Sequence, residues 1–218
     1  MFGSFFRPSP GRGILYPASG GESSRLQVRR EAMLKTVAAV ELLVCWFAWG
    51  YPFIVRAPHG QQRKSTIDPA STWTGFGLQV AAVFLAWACR LPAGEPPGLA
   101  RVVGSMLLGP LAAILAWAAV RHLGRQYRIT AGVWEDHELV RTGAYGLVRH
   151  PIYTSILLLL LSTLLLLTPW HWFAVSLALY IVGVEIRIHG EERLLARRFG
   201  EEFQRYRRDV WAYVPFLR

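Results

Sequence analysis

Long uncharged runs alternate with short polar blocks along the chain. The runs cover 36–55 (interrupted only by Glu41), 69–89, 102–120 and 151–184. A helix that crosses a bilayer needs about 20 mostly apolar residues, so each of the first three runs predicts one crossing. Pro110 predicts a kink in the third. The fourth run is too long for one crossing and contains Pro169 within Thr168-Pro169-Trp170-His171. Proline has no amide with which to continue a helix, so this run predicts a helical hairpin over 151–186. The expected fold is all-α: a polytopic membrane protein with about five transmembrane helices and a hairpin near the C-terminus. The first run is not expected to be a cleaved leader, because a polar stretch precedes it and its apolar core is too long.

Composition strengthens this picture. Apolar residues make up 53% of the 218 and charged residues only 17%, where a soluble domain carries about 25% charged. The formal net charge of +10 lies in blocks between apolar runs. That arrangement points to anionic headgroups of a lipid bilayer or an anionic ligand, and away from nucleic acid. Cys45 and Cys89 lie inside apolar runs and predict no disulfide framework. Residues 1–30, rich in Gly, Pro and Ser, predict a flexible tail. Residues 31–120 predict three spans, and 121–218 a region of different character. With five spans, the loop 56–68, the segment 121–150 and the C-terminus share one side. That side holds twice as many Lys and Arg as the other and is therefore expected to be cytoplasmic.

Most of the ionisable residues sit in two segments, 121–150 and 185–218, that flank the hairpin. A hairpin returns both ends to one face, so these segments are expected to meet against apolar walls. The first contains Gly143, Tyr145, Gly146, Arg149, His150, Pro151 and Tyr153. Pro151 suits a first helical turn, and the amides there, with Arg149 and His150, suit a carboxylate. The second contains Glu185, Arg187, His189, Glu191 and Glu192. Helical spacing puts Glu185, His189 and Glu192 on one face and pairs Arg187 with Glu191. A ligand site and a purely structural ion-pair network both satisfy this pattern. No metal site is expected, since His189 and Glu192 lack a supporting Cys pair or second His. From Glu191 to Tyr206, Leu195, Phe199 and Phe203 recur every fourth residue, predicting a C-terminal amphipathic helix. Glu41 is expected to reach the membrane surface.

The ordered motifs Gly143-x-Tyr145-x-x-Val148-Arg149-His150-Pro151-x-Tyr153, Glu191-Glu192-x-x-Leu195, Phe199-Gly200-Glu201-Glu202-Phe203-x-x-Tyr206 and Val214-Pro215-Phe216 resemble the isoprenylcysteine carboxyl methyltransferase family, and share much with phospholipid methyltransferases. The resemblance covers roughly 121–218. Ser155 stands where the family often has Gly, and Phe203 where it has Tyr. It implies an integral membrane enzyme that takes a methyl group from S-adenosylmethionine, held on the cytoplasmic side, to a lipid-like acceptor such as the carboxylate of a prenylated cysteine. It also implies cofactor contacts at Tyr145, Arg149, His150, Tyr153 and Glu192 and the backbone around Leu139 and Val140. Arg187, Glu191 and Glu192 are the implied catalytic residues. The alternatives are a phospholipid or small-lipid N- or S-methyltransferase, a sterol-reductase-like NADPH enzyme, and a non-catalytic scaffold or transporter.

Overall fold

The computed structural model describes residues 20–55, 69–92, 95, 97–124 and 139–215. The described residues are mainly helical, with one isolated β-bridge between Val148 and Trp211. The long helices are α1 (Gly20–Val55), α2 (Pro69–Ala88), α3 (Leu99–Leu123), α5 (Pro151–Leu167) and α6 (Trp170–Phe199). Two short ones, α4 (Ala144–Leu147) and α7 (Glu201–Asp209), flank the α5–α6 hairpin. Among the described residues, three helical stretches are long and apolar enough to cross a membrane: Ala32–Val55, α3 and α6.

The local signals explain the boundaries. α5 starts with Pro151 at its first position, and Pro169 caps α6 after a two-residue break. Pro110 lies inside α3 and does not end it. Gly200, at φ +52°, ends α6 and begins α7.

Two expectations about the helices need correction. The helix begins at Gly20, so the latter part of the expected tail 1–30 is helical; residues 1–19 lie outside the described residues. Apolar periodicity was a poor guide there, because a helix already formed downstream extends cheaply through good helix formers such as Gln27, Arg29 and Arg30. The run Glu191–Tyr206 is not one amphipathic helix. Glu191–Phe199 completes α6, and the shorter α7 buries Phe203 and Tyr206.

On α2 and α3 the packing inverts the pattern of a water-soluble bundle. α2 buries Ser71, Thr72, Gly75, Gln79, Ala82 and Ala86, and α3 buries Ser105, Gly109, Ala112 and Ala116. Meanwhile Phe47, Ile54, Phe84, Leu107 and Ile114 face outward, Phe47 being 80% exposed. Large apolar side chains outside and small residues inside suit helices that sit in lipid, where close backbone approach replaces hydrophobic exclusion. α2 packs on α6, while α3 packs on both α5 and α1; α5 and α6, though joined, touch each other much less. The α2–α6 crossing is tightest at two glycines: a Cβ on Gly183 would lie 2.8 Å from the Gly75 carbonyl oxygen.

Polar bonds pin the crossings. Trp46 donates to Thr163 Oγ1 at 3.1 Å, Trp49 to Ser155 Oγ at 2.9 Å, and Ser105 and Ser162 share a bond of 3.0 Å. Arg101 donates to the carbonyls of Leu164, Leu165 and Thr168 and stacks on Trp170, closing the C-terminal end of α5. Glu41 is half-buried, and its Oε2 has no hydrogen-bond partner.

Candidate active site

The polar residues gather where α5 begins and α6 leaves its apolar stretch. The segment after α7 crosses the start of α5: the amides of Arg149 and His150 donate to the carbonyls of Trp211 (2.7 Å) and Ala212 (2.8 Å). Thr154 Oγ1 donates to the Tyr213 carbonyl at 2.7 Å. These bonds hold Arg149 and His150 against α6, where Glu191 and Glu192 are one turn beyond Arg187.

Arg149 is buried and its donors are spent within the protein. Its Nε and Nη2 both bond Glu192 Oε1, at 3.1 and 2.8 Å. Its Nη1 donates to the carbonyls of Arg207 and Val210. Glu192 is 5% exposed and also takes Arg207 Nε at 3.4 Å on its other oxygen. A buried carboxylate is costly unless paired, and here two guanidinium groups and an imidazole surround it.

His150 bridges the two glutamates, with Nε2 at 3.4 Å from Glu192 Oε1 and Nδ1 at 3.4 Å from Glu191 Oε2. Burial alone would lower its pKa, but hydrogen bonds to Glu191 and Glu192 outweigh burial and raise it above the ordinary 6.5. Its ring stacks on Tyr153 at 5.7 Å. The Tyr153 hydroxyl donates to Glu191, and the Tyr153 backbone carbonyl accepts from Tyr180 at 2.5 Å.

Arg187 differs from Arg149. Its Nη1 donates to Gln79 Oε1 on α2 at 3.1 Å, and its guanidinium lies over the Tyr153 ring at 5.0 Å. Its Nη2 is only loosely paired, 4.0 Å from Glu191, and its Nε is buried with no partner. Nε and Nη2 form the side-on edge with which arginine takes a carboxylate. That edge is filled in Arg149, whereas in Arg187 its Nε has no partner and its Nη2 only the long contact to Glu191.

The structure therefore joins Arg149, His150, Tyr153, Arg187, Glu191 and Glu192 into one contiguous network. Tyr145 stands beside it, packed with Ala119, Ala144 and Val140, its carbonyl taking the Tyr206 hydroxyl at 2.6 Å. Leu139 and Val140 are half-buried on the approach to α4. Glu185 and His189 do not join Glu192: they pair with each other at 3.6 Å, and Glu185 accepts from Tyr213 at 2.9 Å. The helix turns Glu192 inward and leaves His189 exposed. Among the described residues no cluster of His, Cys, Asp and Glu is placed to hold a metal. Both departures from the motif have uses here. Ser155 receives Trp49, and Phe203, only 1% exposed, occupies a place where a hydroxyl would need a partner.

Sequence reasoning missed Gln79, Tyr180, Arg207 and Tyr213. Gln79 carried a signal, being the one amide side chain in the uncharged run 69–89. Arg207 and Tyr213 lie in a segment already rich in polar residues, and Tyr180 is one hydroxyl among several in the uncharged run 151–184.

The stretch that carries this network also carries the family likeness. Residues 105–197 match the isoprenylcysteine carboxyl methyltransferase (ICMT) family model. The chain is 31% identical over 122 residues to "Probable protein-S-isoprenylcysteine O-methyltransferase" of Oryza sativa subsp. indica, covering 55% of this chain and 60% of the relative. It is 31% identical over 121 residues to "Protein-S-isoprenylcysteine O-methyltransferase B" of Arabidopsis thaliana, covering 55% and 58%. It is 36% identical over 87 residues to the Saccharomyces cerevisiae protein-S-isoprenylcysteine O-methyltransferase, covering 38% and 34%. The chain thus spans about 60% of the length of the first of these relatives. The ICMT resemblance read from the motifs is shown by these matches, and it falls on the helices that build the network.

Proposed function

We propose that this protein is an integral membrane methyltransferase of the ICMT type, moving a methyl group from S-adenosylmethionine to the carboxylate of a prenylated cysteine. The observation that carries this reading is the contrast between the two arginines: one holds the network together, and the other presents a carboxylate-shaped edge whose Nε has no partner. The family match and the lipid-facing surface supply the class of reaction and of acceptor. Five crossings by α1, α2, α3, α5 and α6, with the network facing the cytoplasm, agree with the Lys and Arg distribution along the chain.

The donor set fits S-adenosylmethionine in kind. Glu191 suits its ammonium, with Glu192 behind it tied to Arg149 and Arg207, the stacked rings of His150 and Tyr153 offer a shelf, and Tyr145 with the backbone of Leu139 and Val140 lies alongside. When bound, this cofactor supplies an electrophilic methyl group on a sulfonium. The remaining chemistry belongs to the chain. A carboxylate acceptor is already ionised at neutral pH and needs no general base, so the residues act by positioning and by excluding water. Arg187 orients the acceptor through Nε and Nη2. Glu191, held between Tyr153, His150 and Arg187, keeps the guanidinium in place. Arg149 fixes Glu192 and ties the C-terminal segment to α6 rather than contacting the acceptor.

The test is Arg187→Ala. Turnover of an S-prenylcysteine should fall at least about a hundredfold, as for loss of one charge-stabilising donor in other enzymes, while S-adenosylhomocysteine binding changes little. Unchanged turnover refutes the role. Methylation of phosphatidylethanolamine in place of the prenylcysteine would favour the phospholipid alternative.

A further inference from the structure

We propose that Gln79 of α2 forms the second half of the acceptor site, its amide nitrogen donating alongside Arg187 Nε to the acceptor's carboxylate. Two unpartnered donors meet at this place. Among the described residues only three buried side-chain nitrogen or oxygen atoms lack a hydrogen-bond partner, and two of them are Gln79 Nε2 and Arg187 Nε. They belong to side chains joined by one hydrogen bond. Gln79 is 5% exposed and the Arg187 side chain 11%. Burying a donor without an acceptor costs about 1–3 kcal/mol, so a pair of such donors in one place marks a site that an acceptor-rich group would complete.

The orientation of the amide follows from its partner. Arginine has only donors, so Gln79 must turn Oε1 toward Nη1, which leaves Nε2 as the free end. Gln79 cannot drift from this position. It lies one turn from Gly75, where α2 meets α6 so closely that a Cβ would strike Arg187 Cγ at 2.4 Å and the Gly183 carbonyl at 2.5 Å. Phe76 and Tyr153 line the same guanidinium, at 5.9 and 5.0 Å. Beside these rings Glu191 lies 4.0 Å from Nη2, and in so buried a place a hydrogen bond discriminates strongly. Two N–H groups and no free acceptor suit a carboxylate and penalise a carboxamide, which brings donors of its own.

This inference rests on the reading of the acceptor as a prenylated cysteine, and the experiment separates the two. In purified full-length protein, methyl transfer to an N-acetylated S-prenylcysteine is measured for wild type, Gln79→Glu and Gln79→Leu, with its carboxamide analogue as competitive inhibitor. Gln79→Glu keeps the shape and an oxygen for Arg187 but replaces the donor by an acceptor. It should raise the KM for the carboxylate at least tenfold, leave S-adenosylhomocysteine binding unchanged and narrow or reverse the preference for carboxylate over carboxamide. Gln79→Leu should raise the same KM with a smaller change in preference. A Gln79 that merely packed α2 on α6 would weaken both analogues equally, and that result, or an unchanged KM in Gln79→Glu, overturns the proposal. A wild-type protein that transfers no methyl group to the prenylcysteine overturns the underlying reading instead.

Discussion

Arg149 and Arg187 are chemically identical, and their surroundings give them opposite work. Arg149 is enclosed by Glu192 and two backbone carbonyls, so its removal would leave a buried carboxylate short of partners. Arg187 keeps an unsatisfied Nε. Between them, His150 makes the network sensitive to pH. Its folded pKa is raised, so protonation favours the folded state. That stabilisation is fully present below the unfolded value of about 6.5 and is lost as pH rises through the higher folded value. The melting temperature in detergent should therefore fall as pH rises through this window, and His150→Gln should flatten the profile; a wild-type profile as flat as the variant's would count against the assignment. Arg149, His150 and Tyr153 were legible because they lie in one short motif ahead of a proline. Glu191 and Glu192 were legible as paired acids at a membrane edge. Gln79 was not, because a single amide in an apolar run has meaning only once its neighbour is known.

At the scale of elements, glycine sets the junctions that bring the network together. Gly143 and Gly200 both have positive φ, at +61° and +52°, in backbone regions that cost other residues about 1–3 kcal/mol. Their surroundings differ. A Cβ on Gly200 meets nothing within 4 Å, whereas one on Gly143 would lie 2.0 Å from His122 Nε2. Gly200→Ala should lower stability only by the backbone cost, about 1–3 kcal/mol. Gly143→Ala adds displacement of the His122 ring and should lower the melting temperature clearly more. Equal shifts in the two variants would show that the His122 contact contributes nothing. Prolines 151 and 169 marked the helix boundaries in advance, since a missing amide acts locally. The helix 20–30 and the break at Gly200 escaped apolar periodicity, because that signal reports burial and not backbone continuity.

For the whole molecule, the C-terminal segment is what closes the site. The carbonyls of Val210, Trp211, Ala212 and Tyr213 receive Arg149, His150 and Thr154, so residues beyond α7 hold the start of α5 in place. If the proposed cofactor site is right, S-adenosylhomocysteine at a hundred times Kd stabilises the intact chain by about 2.7 kcal/mol, and truncation after Asp209 should abolish that shift. A truncated protein with an undiminished ligand-induced shift would show that the segment is dispensable. The sequence by itself determined the apolar helices, the hairpin break, the bilayer-suited surface and the motif residues, because each depends on composition or spacing within a few turns. Only the tertiary structure decided that α5 and α6 pack on α3 and α2 more than on each other, that Glu192 turns inward while His189 does not, and that Gln79 meets Arg187 from 108 positions away. Helix faces rich in small residues announce that something packs there, but many faces of similar shape compete for them. The choice among partners is made by the summed fit of the folded bundle, and no local pattern encodes that sum.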